Sequence, residues 1–127
     1  MTYAITRQQH GATVRYSGLV SVGEFMEVVL SIHADPGYAS LRYVIHDMLE
    51  VEELDFSNLD MTAMAAQELG ARYTNPGVRP AVVSKDPRMA EATRSFSALA
   101  QLEVGIFTEL AQAQRWVGAT HPAAPQP

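Results

Sequence analysis

The chain has 127 residues, 47% apolar and 18% charged, enough for the core of one domain and too few for two. It contains no cysteine, which excludes disulfides, thiolate metal sites and cysteine nucleophiles. Fourteen acids against nine lysines and arginines leave a net charge of −5, a sign that repels the phosphates of nucleic acid. No apolar run reaches the roughly 18 residues of a membrane helix, and residues 1–7 lack the apolar centre of a signal peptide. The expectation is a cytoplasmic single domain with no transmembrane segment and no nucleic-acid partner.

Residues 3–6 and 12–16 predict two short strands around the polar turn Gln8-Gln9-His10-Gly11. Val14 and Tyr16 alternate there with Thr13 and Arg15, and Gly18 is expected to end the ladder. Ser21-Val22-Gly23-Glu24 fits a capping box, with Val20 and Phe25 at the staple positions. Val22, Phe25, Met26, Val29 and Ile32 line one face of the helix that follows, and Asp35-Pro36-Gly37 stops it.

Residues 41–48 predict a third strand covered on both sides, with Val44 and Ile45 on opposite faces. Residues 50–55 predict an acidic loop. A second helix is expected from Ser57 or Asp60 to about Arg72. Its main face is Leu59, Ala63, Ala66, Leu69 and Tyr73, and Met61, Met64 and Ala65 form a second apolar patch. Asn75-Pro76-Gly77 ends it, and residues 80–84 predict the fourth strand.

Asp86-Pro87 opens a helix whose expected buried face is Met89, Ala92, Phe96, Leu99 and Ala100. Residues 104–107 predict the fifth strand. Thr108 is expected to cap a last helix that ends at Val117-Gly118 and is anchored by Trp116. Residues 119–127 hold three prolines and predict a loose tail. The resulting order, ββαβαβαβα over residues 1–118, predicts a single α/β domain. Its mixed five-stranded sheet opens with an antiparallel hairpin and continues in parallel beneath four helices.

Five stretches, in this order and spacing, carry a family likeness: Ser17-Gly18 before the capped helix; Tyr43-Val44-Ile45-His46-Asp47; Asp55-Phe56-Ser57; Ala81-Val82-Val83; and Val104-Gly105-Ile106-Phe107 through Ala113-Gln114-Arg115-Trp116-Val117. The pattern resembles the STAS domains, the family of the sporulation anti-sigma-factor antagonist, and more closely their SpoIIAA-like branch, grouped with CRAL-TRIO lipid-binding domains. In STAS antagonists a serine at the start of the second helix is phosphorylated within an Asp-Ser-Ser-Gly type sequence. Here Asp55-Phe56-Ser57-Asn58 matches at Ser57 and departs at Phe56 and Asn58. Ser57 is therefore either a phosphoacceptor or the N-cap of the second helix. Capping is the favoured role, since serine is among the preferred cap residues.

Between Tyr43 and Ala71 stand seven acids and neither lysine nor arginine. They read either as a solvated loop or as a docking surface for a basic partner. Glu50, Glu52, Glu53, Asp55, Asn58, Met61 and Met64 are the partner-binding candidates, the methionines because they pack adaptably. No metal site is expected, because the acids lack the spacing and the glycine of an EF-hand loop. No cofactor is expected either, since no glycine-rich loop is present to cradle a phosphate.

His46 and Asp47 are neighbours on a strand and so point to opposite faces, while His10, His33 and His121 are scattered. Asp47, Ser84 and Lys85 are ligand candidates at strand ends, although Ser84 lacks the nucleophile elbow of hydrolases. The leading expectation is a non-enzymatic STAS/SpoIIAA-like regulatory module that binds a protein through the acidic loop and second helix. Self-association would use the methionine-bearing face. The alternative, implied by the CRAL-TRIO relation, is a small carrier of a lipid-like or apolar ligand. It requires an apolar cavity of a few hundred Å³, and a domain this short has little core to spare for one.

Overall fold

The computed structural model describes residues 1–57 and 59–119; Asn58 and residues 120–127, where the tail and His121 were expected, lie outside them. Strand β1 (Thr2–Arg7) pairs antiparallel with β2 (Gly11–Ser21), placing Tyr3 opposite Tyr16 and Ile5 opposite Val14. Gly11 suits the start of β2, because a Cβ there would run into the Tyr43 ring. Helix α1 (Val22–Ala34) follows directly. Its capping box is formed, with Ser21 Oγ accepting from Glu24 N at 3.2 Å and Glu24 Oε1 accepting from Ser21 N at 3.1 Å.

A 3-10 turn at Pro36–Ser40 leads to β3 (Tyr43–Asp55), then α2 (Met61–Ala71), β4 (Arg79–Val83), α3 (Pro87–Ala100), β5 (Gly105–Phe107) and α4 (Leu110–Ala119). The sheet order is β1-β2-β3-β4-β5, parallel throughout after the opening hairpin. This is the expected mixed five-stranded α/β sheet with four helices.

The centre of the sheet is buried on both sides. Val14, Val44, Met48 and Val82 pack with Val28, Ile32 and Met89 on the side of α1 and α3. Ile45, Ala81 and Val83 pack with Ala113 and Val117 of α4 on the other. Val44 and Ile45 thus lie on opposite faces. Asn75, buried between α2 and β4, donates to Tyr38 O at 2.8 Å and Leu41 O at 2.6 Å, tying that connection to the 3-10 turn. Trp116 is half-buried, its ring 5.8 Å from that of Phe107 and beneath the Arg79 guanidinium at 4.2 Å.

Several local expectations are corrected. Gly18 does not end a ladder; it sits inside β2 at φ +79°, a conformation glycine adopts without a steric penalty. Residues 50–55 are not a loop, because β3 continues to Asp55 alongside Ser17–Ser21 of β2. Partners run Arg15–Asp47 and Ser17–Glu50, then Gly18–Val51 and Leu19–Glu53, so β3 carries one extra residue at each of two bulges.

Helix α2 starts at Met61, capped by Asp60, whose Oδ1 accepts from Ala63 N at 2.9 Å. Ser57 is not its cap: its hydroxyl and its backbone N–H both donate to Asp55 Oδ1 in the preceding turn. The faces of α2 are also exchanged. Ala65 is buried and Met61, Met64 and Glu68 are half-buried, whereas Ala63, Ala66, Leu69 and Tyr73 are exposed. Two contacts decide this orientation. Ala65 packs with Ala100 and Leu102 beside α3, and Glu68 Oε2 lies 3.6 Å from His33 Nε2 on α1. On α3, Leu99 is exposed and Thr93 is buried in its place, donating to Met89 O at 2.7 Å. α4 begins at Leu110, two residues beyond the cap expected at Thr108.

Candidate functional site

β4 pairs with β3 only as far as Asp47. Beyond that point β3 and β2 form a two-stranded ribbon, and the bulges set Glu50, Glu52, Glu53 and Asp55 all outward. Like charges on a strand edge also discourage pairing with a foreign strand. Two arginines temper the patch. Arg15 Nε lies 3.5 Å from Asp47 Oδ2 and 3.7 Å from Glu50 Oε2. Arg88 pairs with Asp86 at 2.7 Å and lies over the Phe56 ring at 5.1 Å. The Ser57 hydroxyl and backbone N–H hold the Asp55 carboxyl below its usual range.

The ribbon runs through Phe56 and Ser57 into α2, whose outward stripe of Ala63, Ala66 and Leu69 recurs at helical spacing and is continued by Tyr73 in the turn that follows. Tyr73 is 93% exposed. A helix usually buries its larger apolar residues, so this stripe is the second component of the candidate site.

The third component lies beneath. A cleft of about 90 Å³, partly open to solvent, is walled by Val20, Phe25, Leu54, Phe56, Ala92 and Phe96 among others. Met26, Met48, Met61, Met64 and Met89 line it too, which is every methionine except Met1. Met61 and Met64, expected at an outward partner surface, are instead part of this wall. The core is therefore not the solid sandwich that chain length implied, although the space is smaller than the few hundred Å³ of an ordinary ligand pocket.

His46 borders the cleft, as do the polar residues Ser21, Asp55, Glu68 and Thr93. Its Nδ1 lies 2.9 Å from the Tyr16 hydroxyl. Burial pushes its pKa down to about 4, so the ring is neutral near pH 7. Burial raises Tyr16 far above its ordinary value, so its hydroxyl keeps its proton. A second, smaller space of about 20 Å³ adjoins the cleft, bordered by His33, Tyr38, His46 and Glu68. There the Gln67 amide nitrogen, which can only donate, lies 3.0 Å from His33 Nδ1 and leaves the His33 proton on Nε2, facing Glu68. The Tyr38 hydroxyl is buried with no partner among the described residues, and burial with the nearby Glu68 charge pushes its pKa up to about 12.

The strand-end candidates do not converge. Asp47 is buried on the α4 side of the sheet, accepting from Leu49 N at 3.0 Å. Ser84 Oγ accepts from Asp86 N at 3.1 Å, and Lys85 is exposed. No hydrogen bond or ion pair joins any two of these three among the described residues. His46 and Asp47 point to opposite faces, as strand geometry requires.

The chain is similar to the anti-sigma factor antagonist SpoIIAA in its unphosphorylated form, at 8% identity and a TM-score of 0.63 over 93% of this chain and 98% of that one. The fold is that of SpoIIAA. A second similar structure is an uncharacterised protein of the DUF3478 family with a SpoIIAA-like fold from Shewanella loihica, at 17% identity, TM-score 0.55 and coverage of 91% and 92%. A third is an anti-sigma factor antagonist from Mycobacterium paratuberculosis, at 16% identity, TM-score 0.54 and coverage of 92% and 93%. At these identities the likeness establishes the SpoIIAA-like fold and nothing finer. No family model and no curated protein matches the sequence. No helix among the described residues is long and apolar enough to cross a membrane.

Proposed function

We propose that this protein is a non-enzymatic, SpoIIAA-like regulatory module that binds a protein partner at the end of the sheet where β3 passes into α2. The observation that carries the reading is the reversed α2, which turns Leu69 to solvent next to the exposed Tyr73 of the turn that follows, directly after a ribbon bearing Glu50, Glu52, Glu53 and Asp55. An apolar stripe beside a concentrated negative field suits a partner with an apolar anchor and a basic rim. The fold likeness to anti-sigma factor antagonists supports a regulatory role. A related structure is a phosphorylated form of SpoIIAA from Bacillus. Ser57, exposed ahead of α2, is the serine here to which such a modification would apply, and intact-mass analysis of protein from the native cell tests it.

The reading is tested by affinity capture from the native cell with wild type and two variants, Glu50→Lys/Glu52→Lys/Glu53→Lys and Leu69→Glu/Tyr73→Glu. Both variants are expected to keep the wild-type circular dichroism and to lose the same captured protein. Retention of that protein by both contradicts the proposal.

The methionine-lined cleft favours a second reading, a carrier of a small apolar ligand. Native mass spectrometry of freshly purified protein tests it, the expected result being a co-purifying small molecule.

A further inference from the structure

The cleft has one property that the packing of the fold does not require. The Tyr16 hydroxyl and His46 Nδ1, 2.9 Å apart, share one hydrogen bond. If Nδ1 carried the ring proton and donated, both the Tyr16 O–H and His46 Nε2 would be left without partners. If Tyr16 donates, only the Nε2–H is left over. The second arrangement leaves fewer polar groups unpaired and is the favoured one. Nε2 has no hydrogen-bond partner among the described residues, on a side chain that borders the cleft.

Nε2 is not among the atoms sealed in the core without a partner, so an acceptor entering the space that His46 borders can reach it. We propose that the cleft binds the end of a small, neutral, apolar molecule whose single polar group, a hydroxyl or carbonyl oxygen, accepts a hydrogen bond from His46 Nε2–H. This rests on the carrier reading and names its ligand class.

Size, charge and surface all narrow that class. An apolar cavity of roughly 150 Å³ holds benzene, so the cleft's 90 Å³ suits a short aliphatic chain, with any further length leaving through the open side. The neutral imidazole offers no positive charge to a carboxylate, and Glu68, which also lines the cleft, repels one. The surrounding methionine side chains are unbranched and deform to fit. A fatty acid head group is thus excluded from the floor, whereas an alcohol or ketone is accepted.

The test uses the whole protein labelled with ¹³C at its methionine methyl groups, titrated with 1-pentanol and, separately, with pentanoate at pH 7. 1-Pentanol is expected to shift the Met61, Met64 and Met89 methyl resonances saturably, with a roughly millimolar dissociation constant. Pentanoate is expected to bind at least about tenfold more weakly, a loss of about 1.4 kcal/mol. His46→Phe, which keeps the ring and removes the donor, is expected to weaken 1-pentanol several-fold. Ala92→Leu, which fills the wall without touching His46, is expected to abolish the shifts while the protein stays folded, and it serves if His46→Phe does not fold. Equal or tighter binding of pentanoate, or 1-pentanol binding indifferent to His46→Phe in a folded protein, overturns the hydrogen-bond assignment while leaving the cleft a binding site. Failure of both probes to shift any cleft methionine overturns the carrier reading along with it.

Discussion

Ser57 was the favoured cap and Asp60 the other residue at which α2 could open, and the structure gives that role to Asp60. The two side chains should therefore differ in their contribution to stability. Asp60→Ala is expected to lower unfolding free energy by about 1 kcal/mol, the usual cost of a lost N-cap. Ser57→Ala, exposed and bonded only within its own turn, should stay within about 0.5 kcal/mol. Urea denaturation of both variants checks the assignment, and the reverse order contradicts it.

His46 adds a dependence on pH. In the unfolded chain its pKa is about 6.5, and in the folded protein burial lowers it to about 4. Above pH 6.5 both states are neutral and the group has no effect on the balance. As the pH falls from there toward 4, the unfolded chain takes up a proton that the folded protein refuses, so stability declines. Between pH 7.5 and 5 the expected loss is about 2 kcal/mol. Denaturation of wild type and His46→Phe at those two pH values checks it, since the variant should lose much less. Asp55 and Asp86, whose folded pKa values are lowered, also lose stability as pH falls, but in a more acidic window.

At the scale of elements, what the sequence revealed and what it hid have separate causes. Local chemistry was legible. The Ser21–Glu24 box, the Asp86-Pro87 opening and the Asp35-Pro36-Gly37 stop all act through backbone groups a few residues away, and each is present as expected. The β3 extension was hidden because its two bulges break the period of two, so that Glu52 and Glu53 are exposed in succession and look like a loop. The reversal of α2 was hidden because the helix is apolar on both faces. The choice is made by Ala65 against Ala100 and by Glu68 against His33, contacts far apart in sequence.

Gly18 belongs to this scale as well, since its positive φ lies at the second of those bulges. A Cβ there would meet nothing within 4 Å, so Gly18→Ala tests backbone conformation alone. It should destabilise by about 1 kcal/mol, measured by thermal unfolding. An unchanged or higher Tm would show that the ribbon does not need its bulge.

For the whole molecule, the topology was readable because alternation of strands and helices leaves few arrangements open. The cleft was not, because it arises where three helices and the sheet fail to close completely, a residual of packing that no local pattern encodes. Both proposed activities sit at the same end of the sheet. The acidic ribbon and the outer stripe of α2 form the exposed surface proposed for a partner, and the inner face of α2 walls the cleft.

The most direct measurement is amide hydrogen exchange on the protein alone and in complex with the partner captured by wild type. Slowed exchange is expected along residues 49–57 and 59–73, with α4 and β5 unchanged. Slowed exchange confined to α4 and β5 would place the working surface on the opposite side of the sheet and contradict the account.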